Sequence, residues 1–261
     1  MMYLTNEEKI IFLAFRLNPS AGDIKAIERL VSGNSKTDYK KLIHLATLNG
    51  VASLLYKNLK EIDAVPDDVL SKLRKVYLHS IVHNLKQTRE LLKILQILKD
   101  NGIEAIPLKG ALASEIIFEN PGLYVGSDID ILVRPSDLQQ TKQILINSGY
   151  SYDEEPEKAM LSSHYHLVFY NNEHTVEVHW NLVKRYFDIS PEFWWEDTFI
   201  EPYGEQQILC LAPEKYLMYT IFRLFSHMFH PLKFFVLISE TSNKYYKRID
   251  WAQFELSIKE L

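Results

Sequence analysis

Apolar residues recur at three- and four-residue spacing through the first hundred positions, the period of helices that bury one face. Ile10, Ile11, Leu13 and Ala14 fit one such face. Leu42, Leu45 and Ala46 fit another, on a helix predicted to start near Asp38 and to stop at Gly50. VASLLYKNLK predicts a further helix. The strongest signal begins after Pro66, where Asp67 and Asp68 suit the positive end of a helix. It runs through Leu85, Leu92 and Leu95 toward Gly102, as one long helix or as two. Lys72, Arg74, Lys75, Lys86, Arg89, Lys93 and Lys99 lie along it, and opposite an apolar stripe they read as a solvated face rather than an anion site.

Near Gly102 the period shortens. IEAIPL reads as a buried strand, GALASEIIF as a helix starting directly after it, ENPG as a turn, and DIDILV as a second strand rich in β-branched residues. RPSDLQQTKQILINSG predicts a helix with Ser136 as N-cap, Gln139 as its capping-box partner and Gly149 as its stop. HYHLVFY and TVEVHW predict two more strands, joined by the turn NNEH. Helical spacing returns from Leu211 through Tyr216, Leu217, Ile221 and Leu224. A last helix from near Asp250 runs into Leu261 without a cap, as in a fragment or under a partner. The pattern predicts an α+β chain with a helical region over 1–100, a core over 101–210 built on a small mixed β-sheet, and a helical region over 211–261.

Composition narrows the class. The 261 residues are 47% hydrophobic and 24% charged, which fits a globular protein with a real core. A formal charge of −5 offers no global field for phosphate backbones, so nucleic acid is not an expected partner. Cys210, the lone cysteine, lies in the apolar ILCLA and reads as core. The start, MMYLTNEEKIIFLAF, lacks the basic region and cleavage site of an export signal, and no uncharged run reaches the length of a membrane span. A cytoplasmic protein is the expectation.

Candidate chemistry centres on GSDIDILV. Asp128 and Asp130 share one face of a strand, while Ile129, Ile131 and Val133 take the other. Carboxylates this close repel, and one must take up a proton unless a cation lies between them. A divalent metal meets that need, and magnesium suits oxygen ligands best. In TVEVHW, Glu177 leaves its strand on the side opposite Val176 and Val178. If the two strands are neighbours, the three acids form the constellation used for two-metal phosphoryl transfer. Alone, a D-x-D at a strand mouth can be turn chemistry and Glu177 a solvated residue; the trio makes the case.

PLKG places Lys109 and Gly110 where a strand hands over to a helix, able to meet an anion or merely to make the turn. His164, His166 and His179, and His79 with His83, have spacings seen in zinc sites, but no thiolates or H-E-x-x-H accompany them. They read as surface or hydrogen-bonded histidines, His179 as a support for the acids. Phe193, Trp194, Trp195 and Phe199 read as packing rather than as a platform for a nucleobase. A G-x-S-x-G nucleophile motif is absent.

Together these segments resemble the DNA polymerase beta-like nucleotidyltransferase superfamily, with its glycine motif at a helix start, an acid-hydrophobic-acid strand and a third acid on a later strand. LKGALASEIIFENPGLYVGSDIDILV, VEVHWNL and LATLNGVASLLYKNL are more narrowly similar to a bacterial group of uncharacterised nucleotidyltransferases, over about residues 38 to 230. The resemblance implies a nucleotidyltransferase core that moves a nucleoside monophosphate from an NTP, such as ATP, to a hydroxyl of a small molecule or protein. It implies Mg2+, as two ions, on Asp128 and Asp130. Glu177 would complete the metal site and align or deprotonate the acceptor. Lys109 and Gly110 would lie against the triphosphate, with Ser127 beside them. The chain departs from the pattern in having Lys109-Gly110-Ala111 where Gly-Ser or Gly-Gly is usual, and Tyr124 where the narrower group often has arginine. A nucleotide-binding module without turnover keeps the same fold, and a helix-rich interaction protein would leave the acids in solvent. Metal-dependent NTP binding separates the last of these from the other two.

Overall fold

The computed structural model describes residues 4–33, 37–152, 165–184, 187–203 and 206–259. Helices α1 (Asn6–Ala14), α2 (Ala21–Ser32), α3 (Tyr39–Leu48) and α4 (Ala52–Leu59) precede α5 (Asp67–Asp100). Reciprocal caps start the first two, Thr5 with Glu8 and Ser20 with Asp23. Periodicity does not predict α2, whose fully buried residue is Ile27; its capping pair is the signal that marks it. Asp38 caps α3 through the Lys41 N–H, and Gly50 follows its end at a φ of 67°. The long signal after Pro66 is one helix of 34 residues, and its seven basic side chains named above are all exposed.

The core follows as β1 (Ala105–Pro107), α6 (Ala111–Ile116), β2 (Ile129–Val133), α7 (Leu138–Asn147), β3 (Ser151–Tyr152), β4 (His166–Tyr170) and β5 (Thr175–His179). These strands form a five-stranded sheet in the order β1-β2-β5-β4-β3. β2 and β5 run parallel while the other pairings are antiparallel, so the sheet is mixed. A separate pair, β6 (Phe199–Tyr203) with β7 (Gln206–Cys210), leads into α8 (Pro213–Ser226), α9 (Lys233–Tyr245) and α10 (Trp251–Lys259).

One boundary differs from the sequence reading. Ser136 is not an N-cap: Pro135–Asp137 form a 3-10 turn, and Asp137 takes the cap position of α7 without a side-chain cap bond. The fixed φ of Pro135 suits the first position of a helical turn, so the chain enters helical geometry earlier than the capping box requires. The Ser136 hydroxyl instead donates to Asp137 Oδ1 at 3.2 Å.

Strand alternation divides the interior. Ile129, Ile131 and Val133 of β2 pack with Val176 and Val178 of β5 against Leu91, Ile94 and Leu98 of α5. Leu132, with Ile106 and Leu108, joins a second cluster that runs from Leu42 and Leu54 through Trp194 to Leu217 and Leu237. Trp194 and Trp195 are buried there as packing residues. Cys210 is only half-buried, at the edge of the first cluster.

The face of α5 toward the core carries buried polar residues, Ser80, Asn84, Gln87 and Thr88, where a plain amphipathic helix would be apolar. Asn84 Nδ2 donates to the carbonyls of Pro121 (2.6 Å) and Tyr124 (2.7 Å). His83 Nε2 lies 2.9 Å from the Gly126 carbonyl, and Gln87 Nε2 donates to that of Ser127 at 3.2 Å. The helix thus grips, by its polar side chains, the loop that enters β2. Asn84→Ala strips one buried and one part-buried carbonyl of their donor and should destabilise the chain by about 2–3 kcal/mol, read as a lower urea midpoint at unchanged slope.

Candidate active site

In the parallel register of β2 and β5, Asp130 lies opposite Glu177, flanked by Ile129 with Val176 and Ile131 with Val178. Asp128, two residues before Asp130, shares its side of the strand. The structure brings the three acids together: a carboxylate oxygen from each lies within 4.8 Å of the other two. Asp130 is 1% exposed, so it is not the solvated strand residue of an interaction surface.

The chain supplies counter-charges of its own. Lys109 Nζ lies 2.7 Å from Asp130 Oδ2 and 3.3 Å from Asp128 Oδ2. His179 Nε2 lies 3.1 Å from Asp130 Oδ1 and 3.3 Å from Glu177 Oε2. The cation that the paired aspartates require is therefore met within the protein by the Lys109 ammonium, which the sequence reading placed against phosphate. Burial alone would raise the Asp130 pKa, but Lys109 and His179 outweigh it and hold this carboxyl far below the ordinary range. Burial works against the charged Lys109 as well, and the two aspartates overcome it and push its pKa above the usual lysine value. For His179, burial favours the neutral ring, while its bonds to Asp130 and Glu177 win and raise the pKa above 6.5.

Two glycines make this convergence possible. Gly110 has a φ of 80°, the left-handed region, and lets the chain turn from β1 into the six-residue α6. A Cβ on Gly126 would lie 2.5 Å from the Gly110 Cα, so the turn carrying Lys109 and the loop carrying Asp128 touch backbone to backbone. The Ser127 hydroxyl donates to Asp128 Oδ1 and orients that carboxylate.

His83, weighed as a metal ligand, instead holds the loop at Gly126. A second group, His166, Glu177 and His179, also has ligand atoms within 4.8 Å of one another and shares Glu177 with the acids. His164 lies outside the described residues. Arg223 and Lys233, absent from the sequence reading, bring their charges into reach of Lys109 and Asp130 from the C-terminal helices. The sequence signals them only as cations at the ends of apolar-periodic segments.

Carboxylate oxygens from Asp128, Asp130 and Glu177 make a hard donor set of the kind magnesium prefers, so these residues fit a divalent cation. Residues 35–261 match the model of a family described as uncharacterised nucleotidyltransferase. No curated protein matches the chain. Among solved structures, the crystal structure of ANT(2")-Ia in complex with adenylyl-2"-tobramycin is similar over 66% of this chain and 99% of its own, at 11% identity and a TM-score of 0.47. The solution structure of the antibiotic-resistance factor ANT(2'')-Ia is similar over 60% of this chain and 85% of its own, at 11% identity and a TM-score of 0.42.

The charged His179 contributes stability that is fully present below the unfolded histidine pKa of about 6.5 and is lost as pH rises through its higher folded value. His179→Gln should therefore cost about 2 kcal/mol at pH 6 and distinctly less at pH 9, measured by urea denaturation at both values.

Proposed function

This chain belongs to the uncharacterised nucleotidyltransferase family, and we propose that it transfers a nucleoside monophosphate from an NTP to a hydroxyl of a small molecule or protein, with magnesium, inside the cell. The observation that carries the reading is the meeting of Asp128, Asp130 and Glu177 across the parallel β2–β5 pair.

Asp128, Asp130 and Glu177 would hold magnesium, as two ions, which would supply neutralising charge to the triphosphate. In the transfer, the acceptor oxygen bonds to the α-phosphorus, the bond from that phosphorus to the bridging oxygen breaks, and pyrophosphate leaves with the electron pair. The acceptor's proton needs a base at the mouth of the site. Glu177 is the most accessible of the trio, its side chain 21% exposed against 14% for Asp128 and 0% for Asp130. Its bond to His179 fixes the carboxylate toward the aspartates, an orientation suited to receiving that proton. The left-handed turn at Gly110 holds Lys109 against the aspartates, and Ser127 sets the rotamer of Asp128.

With α-labelled NTP, the chain should release pyrophosphate slowly to water and pass label to a component of a cell extract. Asp128→Asn and Glu177→Gln should each lower both rates at least about 100-fold in protein that remains folded by circular dichroism. Unchanged label transfer in either variant sinks the reading. Lys109 competes with a dication for the aspartate oxygens. Lys109→Met should bind Mn2+ alone about tenfold more tightly, by electron paramagnetic resonance of the free ion, yet transfer label more slowly.

A further inference from the structure

Beside the acids, α8 and α9 carry a set of polar side chains to which the trio gives no role. Tyr219 and Arg223 lie four residues apart on α8, on one side of the helix. Tyr219 is 1% exposed, and its buried hydroxyl, like the buried Arg223 Nε, has no hydrogen-bond partner among the described residues. The charge of Arg223 is coupled to those of Asp130, Glu177 and Lys109. Arg223 Nη2 sits 3.0 Å from His227 Nε2, and the His227 ring stacks at 4.8 Å on Phe234, the neighbour of Lys233.

Lys233 is placed from several directions. Its main-chain N–H donates to the Asn49 carbonyl at 3.1 Å, and its stem passes over Gly50, where a Cβ would lie 2.8 Å from Lys233 Cδ. Its ammonium donates to the Val125 carbonyl at 2.9 Å, three residues before Asp128. Burial draws its pKa below the ordinary lysine value, and repulsion from Lys109 and Arg223 adds to that. His227 is likewise kept neutral by burial and by the Arg223 charge. Lys109 is engaged by two carboxylates, whereas the Arg223 guanidinium bonds to a neutral ring and the Lys233 ammonium to a main-chain carbonyl. Two half-buried cations, held close together on neutral partners and next to a third, form a field that a polyanion would satisfy.

We propose that Arg223 and Lys233 are the polyphosphate-binding half of the active site, so that the C-terminal helices hold the β- and γ-phosphates of the nucleotide. The inference rests on reading the acids as a nucleotidyl-transfer centre. A guanidinium matches two phosphate oxygens with its planar fork, and the Tyr219 hydroxyl on the same helix face can donate a further bond.

Pyrophosphate alone, titrated calorimetrically into the full chain, is the probe. Arg223→Met should weaken its binding about 10- to 100-fold and Lys233→Gln about tenfold. ATP should lose a similar factor, while AMP, which lacks the outer phosphates, should change by less than about twofold. Asp128→Asn should bind pyrophosphate at least as tightly as the parent, since it removes a repelling charge. Parental affinity in a folded Arg223→Met, or no pyrophosphate binding by the parent chain, overturns the proposal. Were Arg223→Met to melt early, Arg223→Lys decides: a loss of about threefold or more supports the forked contact, and unchanged affinity refutes it. The two readings fail separately. Label transfer with Arg223→Met indistinguishable from the parent removes the polyphosphate role alone, whereas a parent chain that binds pyrophosphate through Arg223 yet transfers no label removes the transfer reading and leaves a polyphosphate site outside any transfer centre.

Discussion

A carboxylate without access to water, Asp130, clamped between the Lys109 ammonium and the His179 imidazole, is the constraint from which the rest of the architecture follows. Taking an isolated charge out of water costs several kcal/mol, so Asp130 can remain ionised only where both partners are delivered to it. Lys109 arrives on the turn after β1 and His179 on β5, so three strands must hold their register for one side chain to be tolerated. The contact of Gly110 with Gly126 and the grip of His83, Asn84 and Gln87 on the loop before Asp128 remove the slack from that arrangement.

The groups proposed for the chemistry also bear on stability, and this limits how either can be altered. A buried pair contributes little net stability once desolvation is counted, yet breaking it is expensive because a lone charge stays behind. Asp130 is thus worth more to the position of Lys109 and His179 than to the fold's free energy. A site held this way meets its substrate already oriented, which is where electrostatic catalysis gains most. Glu177, partly exposed, is tied into the same arrangement by its contact with His179.

What the sequence discloses of this site is what local rules govern. Alternation along a strand is such a rule, so Asp128, Asp130 and Glu177 could be assigned to faces from their neighbours alone. The register that places Glu177 beside Asp130 is not local; it depends on a crossover that brings together residues such as Asp130 and His179, 49 positions apart. The direction of the Lys109 side chain was equally hidden, because nothing in PLKG distinguishes an ammonium turned to phosphate from one turned to carboxylate. Among the elements, helices with wide apolar stripes were legible, while α2, with Ile27 as its buried residue, was not. β6 alternates only between half-buried and exposed positions and contains Pro202, so its period-two signal was too faint to read. At α7 a local rule misled, since Pro135 outcompeted the capping box that Ser136 and Gln139 spell out.

The contribution of the flanking helices explains why the acids fall short as a description of the site. Lys233 lies 108 positions from Val125, yet its stem needs the space above Gly50 and its ammonium needs the Val125 carbonyl. An N-terminal glycine, a C-terminal lysine and the loop before the D-x-D are therefore fitted to one another, although each sits in a different stretch of the sequence by texture. The apolar cluster that holds Leu42, Leu132 and Leu237 in common makes the same connection through packing. A sheet carrying three carboxylates on one side presents a field that repels nucleotide phosphates as strongly as it attracts cations. Closing that side with α8 and α9, which bear Arg223 and Lys233, offsets the repulsion at the place where an incoming triphosphate would feel it.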